Sequence, residues 1–391
     1  MDDIIFPAEL DCLRFPVGAK TYAVSVTYGG TELVSGKLTG TDAQGGIVLP
    51  GLARLLSSAA AEPLLQGREP SLTPAAAKLT VTPTPGITPD DWEAQWTEDT
   101  WPKKADGTPY TFAEYPAEYL VLPFTMRTGV KADGADGWAA NRFLTTGTQK
   151  RIPCTPAEER LHAYYTGEVQ PIQAKATARM VWESGGNVVR KSVPVSGEKV
   201  SIGTGWSLWR FAFSPLALCS LASVPSEVRG TPPEYIKLTY GKRAFTYRID
   251  DGAANAAAPR PLRYLNPFFC EDTFWFYGAG EGEVKPDYTS AYVEGVYRNI
   301  LPACTPATTV KTGGFTQDDA PLVREFALAP LITDPATGEE LALTEASLKP
   351  SGDASALMAA NFTLRHSLPG VHSGVTAAGR VFTDIFDTTY S

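Results

Sequence analysis

Cysteine is scarce in this chain, and histidine is scarcer still. Its 391 residues include three histidines, none at HxxxH spacing, and five scattered cysteines without a CxxC pair: Cys12, Cys154, Cys219, Cys270 and Cys304. Structural zinc sites and disulfide frameworks need clustered cysteines, and helical metal sites need paired histidines. The sequence therefore predicts no metal site and no cofactor, and it predicts cysteines that serve as small buried side chains in a reducing compartment.

Long apolar runs are also missing. The N-terminus, Met1-Asp2-Asp3, lacks the apolar core of a signal peptide. The most apolar stretch, 211–224, is interrupted by Pro215 and by serines, and it is shorter than the roughly 20 residues that cross a bilayer. We therefore expect no membrane span and synthesis in the cytoplasm without a signal peptide.

Excess positive charge and catalytic motifs are the remaining absences. The formal net charge is −9, which argues against a nucleic-acid partner. No nucleophile elbow, serine–histidine arrangement or P-loop is visible. The glycine stretch 278–282 follows a predicted strand, but no helix follows it to bind a phosphate. We therefore predict no catalytic residues.

Four acidic pairs keep one enzymatic hypothesis open. They are Asp90-Asp91, Glu98-Asp99, Asp250-Asp251 and Asp318-Asp319. A glycoside hydrolase needs two carboxylates that face each other across a substrate, and the sequence does not say which two these would be. Each pair also lies beside a proline, a glycine or a helix start, where acidic residues are common.

Turn residues punctuate the whole chain. The 35 glycines and 32 prolines fall between short apolar runs, which is typical of an all-β protein. Hairpins are predicted at 21–38, at 172–195 and at 235–249, and further strands at 341–348 and 360–366. In the second hairpin, Ile172 and the even-numbered residues from Ala174 to Trp182 are predicted to share one face, and the odd-numbered residues from Gln173 to Arg179 the other. Helices are predicted from Thr155, at 138–144, and within 319–332, and an exposed loop at 131–137. The fold class is thus mainly β, with antiparallel β-sandwich-like domains and a few short helices.

The most strongly β-forming stretch is Thr273-Phe274-Trp275-Phe276-Tyr277. Consecutive aromatic residues predict a strand that is covered on both faces. A second run, 288–297, follows at hairpin distance, so we predict an aromatic hairpin over 263–297. We divide the chain into an N-terminal β-rich domain with short helices, 1–165, and a C-terminal antiparallel β domain, 166–391, built around that hairpin.

A second aromatic region lies between residues 86 and 135. It is rich in turns, and its aromatic side chains can stack on sugars as well as fill a core. The candidate binding surface that it offers consists of Trp92, Trp96, Trp101 and Tyr110.

A short signature surrounds the aromatic strand. Arg263-Tyr264-Leu265-Asn266-Pro267-Phe268 is followed by the acidic-aromatic strand 272–276 and then by Gly278. This order resembles the signature LN-x-F-G…D-x-x-x-F-x-G of tail-associated virion structural proteins from prophages of Bacteroidetes-type bacteria. Phe269 stands where that signature has a glycine. The resemblance implies a particle subunit without catalytic residues.

These observations favour one function and leave two alternatives. We predict a non-enzymatic structural or assembly protein: a phage tail-like virion component, found in a virion or phage-like particle. It would dock on other virion or tail subunits or on further copies of itself. The first alternative is a carbohydrate- or receptor-binding β module that uses the aromatic surface at 92–110 for a glycan or receptor. The second is the glycoside hydrolase.

Overall fold

The described part of the protein is mainly β-structure. The computed structural model describes residues 134–166, 171–184, 186–203, 206–223, 226–250, 258–293, 295–348 and 357–366, seven strands before residue 122, and residues 90, 94, 97–99, 108 and 109. Two curled, largely antiparallel sheets of seven strands each follow a sheet of five, with a few short helices between strands. The predicted fold class, mainly β and sandwich-like, is confirmed.

The first sheet lies in the N-terminal third of the chain. The strands of this region are β1 (Asp3–Ile5), β2 (Arg14–Pro16), β3 (Thr21–Tyr28), β4 (Thr31–Thr39), β5 (Gly46–Val48), β6 (Ala75–Thr82) and β7 (Ala117–Val121). The five-stranded order is β1-β7-β6-β3-β4, and β2 pairs with β5. The predicted hairpin at 21–38 is confirmed, because β3 and β4 are antiparallel and Tyr28 lies opposite Thr31.

The second sheet has seven strands. The elements of this region are α1 (Gly134–Asn141), β8 (Gln149–Ile152), β9 (Glu159–Thr166), β10 (Lys175–Ser184), β11 (Asn187–Gly203), β12 (Trp206–Phe213), α2 (Pro215–Leu221), β13 (Tyr235–Tyr240) and β14 (Arg243–Ile249). The strand order is β8-β14-β13-β10-β11-β12-β9. The predicted hairpins β10–β11 and β13–β14 are both present.

Alternation along β10 follows the prediction. Even-numbered side chains from Ala174 to Trp182 are buried, and odd-numbered ones from Gln173 to Arg179 are exposed, as expected for a strand with one face on a core. Ile172 was predicted on the buried face, but it is 95% exposed. The strand begins only at Lys175, so no neighbouring strand covers Ile172.

Two predictions around residues 134–166 need correction. The helix predicted from Thr155 is absent: residues 154–157 form a bend, and the strand β9 starts at Glu159 because it pairs with β12. Helix α1 begins at Gly134, inside a segment predicted to be an exposed loop.

The predicted domain boundary at residue 165 coincides with the end of β9, and the division of the chain into two domains stays a prediction. Since β8 and β9 pair with β14 and β12, a single sheet spans 149–249.

The third sheet contains the aromatic strand. Its region consists of β15 (Arg260–Leu265), β16 (Glu271–Phe276), β17 (Glu281–Val293), β18 (Val296–Lys311), α3 (Ala320–Ala327), β19 (Ile332–Thr333), β20 (Glu340–Leu348) and β21 (Ala360–His366). The strand order is β16-β15-β19-β20-β21-β18-β17. The helix predicted within 319–332 and the strands predicted at 341–348 and 360–366 are confirmed.

The predicted aromatic hairpin over 263–297 is wrong in its pairing. β16 pairs with the preceding strand β15, and β17 pairs with the following strand β18. The Asn266 side chain closes the β15–β16 turn by accepting hydrogen bonds from the Phe268 and Cys270 backbone N–H groups. In that turn Phe269 has φ +55°, the left-handed region that favours glycine. The glycine that the signature LN-x-F-G has at the position of Phe269 would therefore suit this backbone.

Aromatic side chains fill the interior of the third sheet. The ring of Phe326, on α3, lies with its centroid 5.1–5.5 Å from those of Tyr264, Phe274, Phe276 and Phe362. Trp275 and Tyr277 alternate with Phe274 and Phe276 along the chain and are buried too, at 6% and 2% exposure. The prediction that both faces of this strand are covered is therefore confirmed, although β16 is the terminal strand of its sheet.

Candidate interaction surface

The β17–β18 hairpin extends well beyond the strand that flanks it. Its two strands are paired along their length, from Glu281 opposite Thr309 at the base to Val293 opposite Val296 at the tip. The neighbouring strand β21 pairs only with residues 307–311 of β18. Beyond Ala307 the two strands have only each other as partners among the described strands. At about 3.3 Å per residue, roughly ten residue pairs give a ribbon about 30 Å long. Because a lone two-stranded ribbon is only marginally stable in water, a surface that covered it would stabilise it.

The tip of this ribbon carries exposed aromatic side chains. Tyr292 and Tyr297 lie opposite each other with ring centroids 5.0 Å apart, and they are 65% and 77% exposed. Val296, beside them, is 55% exposed. Gly295 has φ +82° and allows the tight turn between the strands. Tyrosine is enriched at interfaces because it offers a large apolar surface with a polar end.

Prolines modify both edges of the ribbon. Pro286 is on β17, and Pro302 and Pro306 are on β18, opposite Cys304, Tyr288 and Val284 respectively. Proline has no backbone N–H, so it cannot occupy a hydrogen-bonded pair of an antiparallel ladder. These three pairs are therefore non-hydrogen-bonded pairs, in which a backbone N–H would point outwards from the ribbon. The edges therefore lack donors at these positions, which disfavours the addition of a further strand. The tip side chains are the better contact surface.

A cluster of charged side chains lies in the interior, between the second and third sheets. Lys150 Nζ is 2.7 Å from Glu159 Oε2 and 2.8 Å from Asp272 Oδ1, and Trp275 Nε1 donates to Glu159 Oε1 at 2.5 Å. The three charged side chains are 5%, 0% and 4% exposed. Since β8 and β9 supply Lys150 and Glu159 while β16 supplies Asp272, these ion pairs join the two sheets.

Lys150 stays charged in this cluster despite its burial. Desolvation alone lowers the pKa of its ammonium group, but the carboxylates of Asp272 and Glu159 raise that pKa above its ordinary value. The lysine therefore balances two buried carboxylates, and removing it would leave them without a counter-charge.

The Glu159 and Asp272 carboxylates can be compared with a glycosidase pair. Their bonded oxygens lie at most about 5.5 Å apart, because both contact Lys150 Nζ, and this is near the spacing of retaining enzymes. Both carboxylates, however, are buried, and the cavity beside Lys150, which neither of them lines, has a volume of only about 30 Å³. A sugar ring does not fit there, so this pair does not have the geometry of a glycosidase site.

Two members of the acidic pairs noted in the sequence, Asp319 and Asp250, contact arginines. Asp319 accepts a hydrogen bond from Arg248 Nη2 at 2.6 Å and caps the turn at Thr316. Asp250 lies 3.4 Å from Arg151 Nη1. Asp90, Glu98 and Asp99 are exposed, and Asp91 and Asp251 lie outside the described residues.

Another buried carboxylate lies on α3. Glu325 is fully buried and accepts hydrogen bonds from Thr145 Oγ1, from the Thr146 backbone N–H, and from Tyr264 OH at 3.1 Å. Burial raises its pKa to about 7, and the Thr146 N–H opposes this effect. These contacts attach α3 to the segment after α1 and to β15.

The predicted aromatic surface cannot be placed. Trp92, Trp96, Trp101 and Tyr110 all lie outside the described residues, so their role stays a prediction. The exposed pair Tyr292 and Tyr297 was not singled out from the sequence, although both flank the turn residue Gly295 in an alternating stretch. A tyrosine on each side of a tight turn was the available signal.

Neither a family model, nor a curated protein, nor a solved structure matches this chain. Within the described ranges, no helix is long and apolar enough to cross a bilayer. The same residues contain no group of three His, Cys, Asp or Glu side chains placed to hold a metal ion.

Proposed function

We propose that this protein is a non-enzymatic structural and assembly protein, a component of a phage tail-like particle that docks on other subunits through the β17–β18 tip. The exposed pair Tyr292 and Tyr297 is the observation that carries the proposal. The resemblance of 263–278 to tail-associated virion proteins supports the particle assignment. The prolines on both ribbon edges support docking by side chains instead of strand addition.

The size of the tip suits a repeated contact. Complete burial of one exposed apolar side chain contributes about 1.5–3 kcal/mol. The tip offers Val296 and the rings of two tyrosines, which are already partly buried, so its gain is smaller than three such contributions. Association costs offset much of this gain, so a single tip makes a weak contact. Many copies on one particle would add their contacts together, because the second and later contacts form at a high effective concentration.

Self-association of the purified protein tests the proposal. The double variant Tyr292→Ser/Tyr297→Ser removes the aromatic tip. The control Ile172→Ser/Leu221→Ser removes two exposed apolar side chains elsewhere, which are 95% and 68% exposed. Sedimentation velocity from low to high micromolar concentration should show concentration-dependent association of the wild type and of the control. The tip variant should remain monomeric.

Two results would overturn the proposal. One is a wild-type protein that stays monomeric and binds no purified tail-like particle. The other is association that the tip variant retains in full. Binding to a glycan array that is lost in Trp96→Ala or Trp101→Ala would instead favour the carbohydrate-binding module.

A further inference from the structure

Two cysteines that are far apart in the sequence lie side by side. Cys154 follows β8 and Cys219 lies in α2, and their sulfur atoms are 3.9 Å apart. The backbone around them is held together, because the carbonyl of Thr155 accepts hydrogen bonds from Leu216 N at 3.2 Å and from Ser214 Oγ at 3.3 Å. The fold therefore keeps the two thiols adjacent.

Both thiols can be reached from outside. Each is half-buried, and both line a cleft of about 680 Å³ whose wall includes Pro153, Trp182 and Arg229. We name this space the cysteine cleft. Cys270, by contrast, is fully buried in the β15–β16 turn. Accessible thiols react, whereas enclosed ones are inert.

The contact between the sulfur atoms also divides their roles. With Cys219 as the donor, its hydrogen bond lowers the pKa of Cys154. The same hydrogen bond, together with burial, raises the pKa of Cys219. Because the thiolate is the attacking species, donation from Cys219 to Cys154 would make Cys154 the nucleophile and Cys219 the resolving thiol.

We propose that Cys154 and Cys219 form a reversible redox site that closes to a disulfide when it meets a small-molecule disulfide such as oxidised glutathione. The Cys154 thiolate attacks one sulfur of oxidised glutathione and releases one glutathione thiolate. Cys219 loses its proton and attacks Cys154 Sγ, which releases the second glutathione. Two protein thiols are oxidised, one glutathione disulfide is reduced, and the released thiolates take up the two protons.

Closure needs only a local movement. The sulfur atoms must approach each other by about 2 Å to reach the S–S bond length, and rotation about the side-chain torsions of the two cysteines moves them. The bond would attach α2 to the 153–155 bend across the wall of the cysteine cleft. The half-buried positions of Cys154 and Cys219 differ from the expected burial of the cysteines, whereas Cys270 is buried as expected. The proposed disulfide does not depend on the proposed docking function.

Peptide mapping of the full-length protein tests the site. Reduced protein is incubated with oxidised glutathione, remaining thiols are alkylated, and digested peptides are identified by mass spectrometry. We expect a Cys154–Cys219 cross-linked peptide in most molecules, its disappearance on treatment with dithiothreitol, and a melting temperature raised by roughly 5 °C in the oxidised form. Cys270 should be alkylated only after unfolding.

Single variants separate closure from simple modification. Cys154→Ser and Cys219→Ser should both lose the cross-link, whereas the control Cys270→Ala should keep it. The wild-type map alone decides the matter if a variant fails to fold. A wild type that carries a stable glutathione adduct at Cys154 without the cross-link would overturn the proposal, as would two thiols that stay reduced.

Discussion

The ion pairs between the two seven-stranded sheets and the tip of the β17–β18 hairpin make opposite use of similar residues. In the interior, Trp275 is 6% exposed, and its indole N–H donates to a carboxylate that Lys150 neutralises. At the tip, Tyr292 and Tyr297 contact each other and otherwise face solvent. Aromatic residues at opposite ends of the strand order of one sheet therefore stabilise the interior in one place and offer a contact surface in the other.

The difference shows how burial decides what a substitution changes. A buried ion pair costs most when one partner is removed, because the other charge is left desolvated. An exposed aromatic pair contributes little to the folded state but supplies apolar area to a partner. Substitutions between the sheets should therefore change stability, and substitutions at the tip should change association.

The largest effect is expected for Lys150→Met. This variant leaves Glu159 and Asp272 buried without a counter-charge, so it should lower the free energy of unfolding by about 3–5 kcal/mol. The matched control is Lys311→Met, which breaks the exposed pair with Glu281 and should cost about 0–1 kcal/mol. Urea unfolding measures both, and equal costs would remove the contrast between interior and surface.

A smaller effect is expected at low pH from His162, which is buried on β9. Burial first, and then the charges of Arg210 and Arg160, lower its pKa to about 3. Below pH 6.5, the ordinary pKa of histidine, His162 binds a proton in the unfolded chain but stays neutral in the folded protein. The free energy of unfolding therefore falls as the pH falls towards 3. When the pH is lowered from 7 to 4, the free energy of unfolding of His162→Gln should therefore rise by about 3 kcal/mol relative to that of the wild type. Urea unfolding at the two pH values measures this change. A difference that stays constant with pH would contradict this assignment.

Glu325 should produce the opposite slope. Its folded pKa of about 7 lies above the ordinary value of 4.5, so the folded protein holds a proton that the unfolded chain releases between those pH values. Its contribution to stability is complete below pH 4.5 and is lost as the pH rises through 7. Glu325→Gln, which keeps the hydrogen-bonded shape, should be more stable than the wild type at pH 8 by about 3 kcal/mol, with no advantage at pH 4. Unfolding curves at both pH values measure the difference.

The smallest effect on stability is expected at the tip. Tyr292→Ser/Tyr297→Ser should lower the free energy of unfolding by about 1 kcal/mol or less, because only one exposed cross-strand pair is lost. The same variant should abolish self-association. A cost as large as that of Lys150→Met would mean that the tip is packed against this chain's own fold and is not a docking surface.

The second sheet was the most predictable part of the molecule. Alternation from Ala174 to Trp182 identified the buried face of β10 correctly, because a strand with one face on a core has a period of two residues in its own sequence. Ile172 continued the pattern but lies before the strand begins. The sequence pattern could not show where pairing starts, since the partner strand determines that.

The aromatic region was predicted less completely. The burial of both faces of β16 followed from its consecutive aromatic residues, but its partner was assigned to the wrong side. Asn266 and Pro267 are typical turn residues, and they connect β15 to β16. Gly278-Ala279-Gly280 looks like a hairpin turn, yet the chain continues from Gly278, whose N–H donates to Lys311 O, into a strand alongside β18.

Most of the strands, the apolar face of β10 and the mainly β fold follow from local sequence patterns, because neighbouring residues encode these properties. No local pattern predicts that Lys150 contacts Asp272, 122 positions away, that Cys154 lies beside Cys219, or that two tyrosines stay exposed. Ion pairing, thiol proximity and exposure depend on which distant strands pack together, and the free energy of that packing is a property of the whole fold.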